Sequence, residues 1–229
     1  MMGVGSPGEI GDMLSMCTEP QKPFGFITMI KKKVVVTGFG PFQGFAENPS
    51  SIVVDELQNQ GVDGVYLELH KIPVAYEDVS QKVPELWKEH SPDLVIHIGA
   101  HPSQKTIKFE QQAFSDGYCR DDVNGCTPEG NKTGCKREDN VLVTCIDCED
   151  LAKQVTERLQ LDGQKHGGLK VEKSADPGRY LCGFSYFLSL HEDCSKALFI
   201  HVPPFEGECT KEAVTDVIRE AIKVILNLI

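Results

Sequence analysis

From Lys33 onward the apolar positions fall into short runs separated by stretches of helical spacing. Val34-Val35-Val36 is a continuous apolar run, as in a strand covered on both faces, and it ends in the turn Gly38-Phe39-Gly40-Pro41-Phe42. Ser50 or Ser51 is placed to cap a helix reaching about Gln58, Val65 to Ile72 alternates as a strand, and a second helix is expected from roughly Tyr76 to Glu89. Asp93 to Gly99 is another apolar strand ending in glycine, and Lys105 to Phe114 alternates as one further strand or extended arm. Residues 115 to 140 are rich in Asp, Asn, Gly and Cys and poor in large apolar groups, which predicts a long excursion. The pattern then gives a helix from about Asp147 to Gln160, a strand from Leu169 to Ser174, a helix from Tyr180 to Leu190 and a strand from Ala197 to Val202. A closing helix from Thr210 places Val214, Val217, Ile218, Ala221, Ile225 and Leu228 on one face. Residues 1 to 30 carry no sustained periodicity and predict a disordered N-terminal extension, leaving 31 to 229 as a single α/β domain.

Parallel strands need crossover connections, and right-handed crossovers cover both faces of the sheet. The alternation of strand and helix therefore predicts a three-layer α/β/α sandwich with a mostly parallel sheet. Ligands of such folds sit at the carboxyl ends of strands. Three segments occupy such ends: the Gly38–Phe42 turn, the stretch after Gly99, and His201.

Composition narrows the function classes. With 34 acidic against 23 basic side chains the formal net charge is −11, a field that repels phosphate backbones and anionic lipid, so neither nucleic acid nor membrane is an expected partner. No apolar run approaches the ~20 residues of a membrane helix and no signal-peptide pattern opens the chain, which predicts a cytoplasmic protein. Nine cysteines at irregular spacing do not describe a secreted disulfide framework, so most are expected to be free thiols. No cofactor or metal is expected, and no oligomeric state is implied.

Several residues could carry chemistry. Cys182 follows the Asp176-Pro177-Gly178 turn near a strand-to-helix junction, where unpaired N–H groups and the helix dipole can stabilise a thiolate. A buried packing cysteine is the plainer reading, and a helix beginning at Pro177 would put Cys182 beyond the first turn. His201 ends a strand just before Val202-Pro203-Pro204, exposing an imidazole at the rim of the sheet, either as a structural residue or as the base that a thiol needs near neutral pH. Glu110 is the one acidic residue in its run, either a solvated strand position or the carboxylate that orients such an imidazole. The Gly38–Phe42 turn lacks the third glycine and the Lys-Ser/Thr of a phosphate loop. Its two rings, Phe39 and Phe42, suit a small flat apolar ligand better.

Taken in order, VVVTGFGPF (34 to 42), Asn48-Pro49-Ser50, SPDLVIHIG (91 to 99), Phe109-Glu110, GRYLC (178 to 182) and FIHVPP (199 to 204) resemble the pyroglutamyl-peptidase I family of cysteine peptidases, in its animal form. The resemblance spans nearly the whole chain after residue 30. It implies removal of N-terminal pyroglutamate from small peptides through a thioester, with Cys182 as nucleophile, His201 as general base and Glu110 as its partner. Phe39 and Phe42 would wall the pocket for the pyrrolidone ring, with Tyr180 and Leu181 close by and Arg120 near the oxyanion site. The chain departs from the family pattern at Ala100 to Lys105, at Ser115 and at Pro177. These departures suggest a first alternative, a catalytically weak or inactive relative with a binding role. A second is a metal or redox module built on Cys119, Cys126, Cys135, Cys145 and Cys148, although these provide only one CxxC pair.

Overall fold

In the computed structural model, residues 3, 31–42, 47–102, 105–135, 139–161, 168–207 and 209–228 are described. The extension expected over residues 1 to 30 lies outside them, apart from Gly3, as do Ser103 and Gln104 of the loop after Gly99. In chain order the elements are β1 (Lys32–Phe39), α1 (Pro49–Gln60), β2 (Val65–Ile72), α2 (Tyr76–His90), β3 (Leu94–Ala100), β4 (Thr106–Glu110), β5 (Gln112–Phe114), β6 (Val141–Val143), α3 (Cys148–Leu159), β7 (Lys170–Ser174), α4 (Leu181–Glu192), β8 (Ala197–Val202) and α5 (Lys211–Ile225). None of the described helices is long and apolar enough to cross a membrane.

Six strands form one sheet in the order β2-β1-β3-β8-β4-β7, and every neighbouring pair is parallel except β4 with β8. Successive side chains of a strand point to opposite faces, so the apolar strands feed two cores at once. Val34, Val36, Ile96, Ile98, Leu198 and Ile200 pack on one face against α1, α3 and α5. On the other face Val35, Val95, Ala197 and Phe199 meet α2 and α4. The expected α/β fold with a mostly parallel sheet between helical layers is what forms.

Two local expectations need correction and a third is met. The first helix is capped by Asn48, whose side chain accepts from Ser50 N, and Pro49 occupies the first turn, where its missing N–H costs nothing. The run from Lys105 to Phe114 is two strands: β4 joins the main sheet, while β5 pairs antiparallel with β6 in a separate ribbon. The helix expected from Tyr180 to Leu190 forms as α4 with Tyr180 as its N-cap, after Gly178 turns the chain with a φ of 78°, so Cys182 falls in its first turn.

Helix α4 is nearly all apolar and most of it is buried. A polar thread fixes it to the sheet. The Trp87 indole, a donor only, bonds Ser189 Oγ at 2.9 Å, and Ser189 lies 2.6 Å from His97 Nε2. His97 Nδ1 in turn lies 2.6 Å from Thr37 Oγ1. The hydroxyls of Ser189 and Thr37 can each donate or accept, so a neutral imidazole is held at both ring nitrogens in either tautomer. Burial pushes the His97 pKa down to about 3, which keeps the ring neutral and suited to that relay.

Candidate active site

The site is assembled where the carboxyl ends of β1, β3 and β8 meet the amino end of α4. Tyr180 is the N-cap of α4 and offers it no side-chain bond, and the first turn holds no acidic residue. Cys182 is the second residue of the helix, so its N–H is one of the first-turn donors without an intrahelical acceptor. Its sulfur reaches the sheet at Gly99. A Cβ on Gly99 would stand 2.8 Å from Cys182 Sγ and 2.7 Å from the Phe199 ring, so only glycine leaves the thiol its place.

His201 and Glu110 come from adjacent antiparallel strands. Glu110 stands opposite Phe199 in the ladder, so His201, two residues further along β8, is its diagonal neighbour on the same face. A glutamate is long enough to cross that diagonal, and Oε1 meets His201 Nδ1 at 2.7 Å. Glu110 is fully buried and His201 is 4% exposed, so the pair is shielded from water. Nδ1 being engaged, the other ring nitrogen is left for Cys182, whose side chain also hydrogen-bonds the imidazole. Burial alone pushes the His201 pKa down, but the Cys182 sulfur and then the Glu110 carboxylate overcome this and raise it to about 9. One turn after Cys182, Tyr186 donates to the Glu110 backbone carbonyl at 2.7 Å, tying the helix of the thiol to the strand of the carboxylate.

Cys182 and His201 open into a cavity of about 340 Å³, lined among the described residues by Phe39, Phe42, Arg120, Tyr180 and Leu181, with Asn48, Val74, Ala100, Pro102 and Pro177 completing it. All the residues expected around a pocket are thus brought together, and Glu110 stands behind His201. Phe39 is 4% exposed and belongs to the core as much as to the cavity, whereas Phe42 is only partly buried. Arg120 lies over the Tyr180 ring at 4.4 Å, a cation–π contact that holds its guanidinium at the rim.

Two supports of the site were not singled out from the sequence. The Asn48 amide donates to the Gly40 carbonyl at 3.0 Å and its oxygen accepts from Ser50, while Ser50 Oγ accepts from Phe39 N at 2.9 Å. One N-cap thereby fixes the turn that carries both rings, and the Asn-Pro-Ser spelling is its sequence signal. Tyr186 was readable only as the residue one helical turn beyond Cys182.

The cysteine-rich stretch does not converge. Cys148 is buried at the start of α3, Cys145 is exposed with its sulfur 3.2 Å from Cys194, and Cys119 and Cys126 are exposed elsewhere. Among the described residues those thiols form no metal-sized donor cluster, so the one CxxC of the sequence is not a paired knuckle.

A family model for pyroglutamyl peptidases (PgaPase_1) matches residues 13–206. Pyroglutamyl-peptidase 1 of Homo sapiens is 36% identical over 200 residues, covering 87% of this chain and 92% of that protein. Pyrrolidone-carboxylate peptidase of Pyrococcus furiosus is 27% identical over 184 residues, covering 75% of this chain and 80% of that protein. Among solved structures, pyrrolidone carboxyl peptidase from Thermococcus litoralis shares the fold with a TM-score of 0.72 at 24% identity, covering 86% of this chain and 94% of that one.

Proposed function

The chain belongs to the pyroglutamyl peptidase family, and on that premise we propose that it is a cysteine peptidase removing N-terminal pyroglutamate from small peptides, with Cys182, His201 and Glu110 as its machinery. The observation that carries this reading is the convergence of three features. A thiol sits at an uncapped helix start, it hydrogen-bonds a buried imidazole–carboxylate pair, and both open into an aromatic-walled cavity sized for a small ring.

The chemistry follows from the geometry. His201 accepts the Cys182 proton, and the thiolate attacks the pyroglutamyl carbonyl carbon. The carbonyl electron pair moves to oxygen, where the first-turn N–H of Cys182 donates to the oxyanion. As the tetrahedral intermediate collapses, the C–N bond breaks and His201 returns its proton to the departing amine. A thioester remains. Water enters, gives a proton to His201 and attacks the thioester carbon; the C–S bond then breaks, pyroglutamate is released and His201 returns the proton to the Cys182 sulfur. Glu110 accepts from Nδ1–H throughout, holding the tautomer in which the opposite nitrogen faces sulfur, and balances the imidazolium. Phe39 and Phe42 offer ring faces to the pyrrolidone, and Arg120 at the rim suits an electron-rich carbonyl or the peptide beyond it.

Turnover of pyroglutamyl-aminomethylcoumarin by the wild-type chain tests the proposal. Release of the coumarin, abolished by stoichiometric alkylation of Cys182, is the expected result. Binding of pyroglutamyl peptides without hydrolysis would instead favour a non-catalytic relative, a reading that Pro102 and Pro177 at the cavity wall make specific.

A further inference from the structure

On the outer edge of the sheet lies a second group of convergent side chains that the reaction does not use. Glu68 and His70 are two residues apart on β2 and so share one face of the strand, and that face receives His90, the last residue of α2. One nitrogen from each ring and one Glu68 oxygen all lie within 4.8 Å of one another. The ring centroids are 5.5 Å apart, and His90 Nδ1 is 3.6 Å from Glu68 Oε1. The Nε2 atoms of both histidines are buried without a hydrogen-bond partner. Two buried, unsatisfied ring nitrogens on neighbouring histidines are rare in a folded protein, because each forfeits the hydration it had in the unfolded chain.

We propose that Glu68, His70 and His90 form a binding site for a divalent first-row transition metal ion, with Zn²⁺ as the best-suited ion. Two imidazoles and one carboxylate are a donor set that zinc accepts, with a fourth position left to water. Tetrahedral zinc keeps its ligand atoms about 3.4 Å apart, so rotations of these half-buried side chains by roughly 1 Å close the shell. The local field favours a cation. The carbonyl end of α2 carries the negative pole of the helix, and Lys33 already donates to the His90 carbonyl at 3.0 Å. Among the other charged neighbours Glu85 and Glu89 offset Lys82 and Lys33, which leaves Glu68 to set the sign. The ion would clip the edge strand to the end of α2, with β1 and β3 standing between it and β8.

The test is titration of Co²⁺ and Zn²⁺ into the full, chelator-treated chain. Co²⁺ held by imidazole and carboxylate gives visible d–d absorption without the near-ultraviolet thiolate charge-transfer band, which separates this site from the many cysteines. One equivalent should bind with that signature, and Zn²⁺ should raise the melting temperature. His70→Gln and His90→Gln should each weaken binding by more than about tenfold, since even outer-shell changes at metal sites cost 10- to 100-fold. Cys145→Ser should bind as wild type, and coumarin release by His70→Gln should be unchanged. Equal affinity in wild type and both histidine variants overturns the site, as does a wild-type spectrum dominated by thiolate charge transfer.

Discussion

Two helices among the described residues begin with a cysteine in the first turn, and the two thiols sit in opposite surroundings. Cys148 opens α3, where Asp147 accepts from the N–H groups of Glu149 and Asp150, so the donors that could stabilise an anion are already engaged. The thiol is sealed from solvent, and burial, reinforced by the Glu110 charge, pushes its pKa up to about 12. Cys182 opens α4 with no cap bond, no acidic neighbour in the turn, a cavity in front of it and His201 beside it. Cys148 meets the Glu110 carboxylate as a bare like charge, whereas at the other site that carboxylate is engaged by the His201 imidazole that bonds Cys182. A helix start is thus not by itself an activating environment. It becomes one when the cap is withheld and a proton acceptor is supplied.

The sharpest way to break this contrast is to exchange the two sulfurs for oxygen. Cys182→Ser should fold normally and lose turnover by on the order of 10³-fold or more, whereas Cys148→Ser should retain activity within a few-fold. Coumarin release by the two purified variants, with melting curves as the folding control, decides it. Comparable losses in both would mean that Cys148 shares in the chemistry.

A smaller effect, about 10²-fold, is expected for Glu110→Gln, which keeps the size of the side chain and removes the anion behind His201. The His201 pKa of about 9 lies above its ordinary 6.5, so the pair's contribution to stability is fully present below about pH 6.5 and disappears as the pH climbs through 9. In Glu110→Gln the upper edge of that window should move to lower pH. Denaturant unfolding from pH 6 to 10, alongside the imidazole titration followed by NMR, reports the shift. A window that does not move would disconnect Glu110 from the base.

Gly99→Ala should cost about tenfold in turnover, with roughly 1–3 kcal/mol of stability, because its methyl group competes with Cys182 Sγ and the Phe199 ring for one space. An unaltered kcat would show that the thiol has room to move aside. Least affected should be Asp147→Ala at the other helix. It removes the cap of α3 at about 1 kcal/mol and leaves turnover unchanged, readable as a drop in melting temperature alone.

How much of this was legible in the sequence depended on range. β2 and β8 could be read to the residue, since each is a run of apolar or alternating positions bounded by Gly, Asp, Lys or Pro. The break inside Lys105 to Phe114 was not, because nothing local distinguishes a strand that joins the main sheet from one that leaves it for a ribbon. Cys182, His201 and Glu110 were each ambiguous alone; their order along a family pattern singled them out. The diagonal that joins Glu110 to His201 was invisible, because it depends on β4 running against β8, a property of topology rather than of either segment. Asn48 was passed over in favour of Ser50 or Ser51 for a different reason. A serine before an apolar run looks like a cap, and only Pro49 after Asn48 marks the true cap two residues before Ser50. Glu68, His70 and His90 carry no metal-ligand spacing, since nineteen residues, from the end of β2 through α2, lie between the two histidines.

Because β4 runs against β8, base and carboxylate hang from a single hydrogen-bonded ladder, and any bending of the sheet carries the two together. The cavity wall hangs instead from separate connectors: the turn after β1, the residues before α2, the loop after β3, the excursion holding Arg120 and the turn before α4. The His201–Glu110 pair is therefore insulated from the parts of the chain that most readily accept insertions and substitutions. Ligand preference can drift with those connectors, which here place Pro102 and Pro177 at the cavity wall, while the ladder that holds His201 and Glu110 together is left intact.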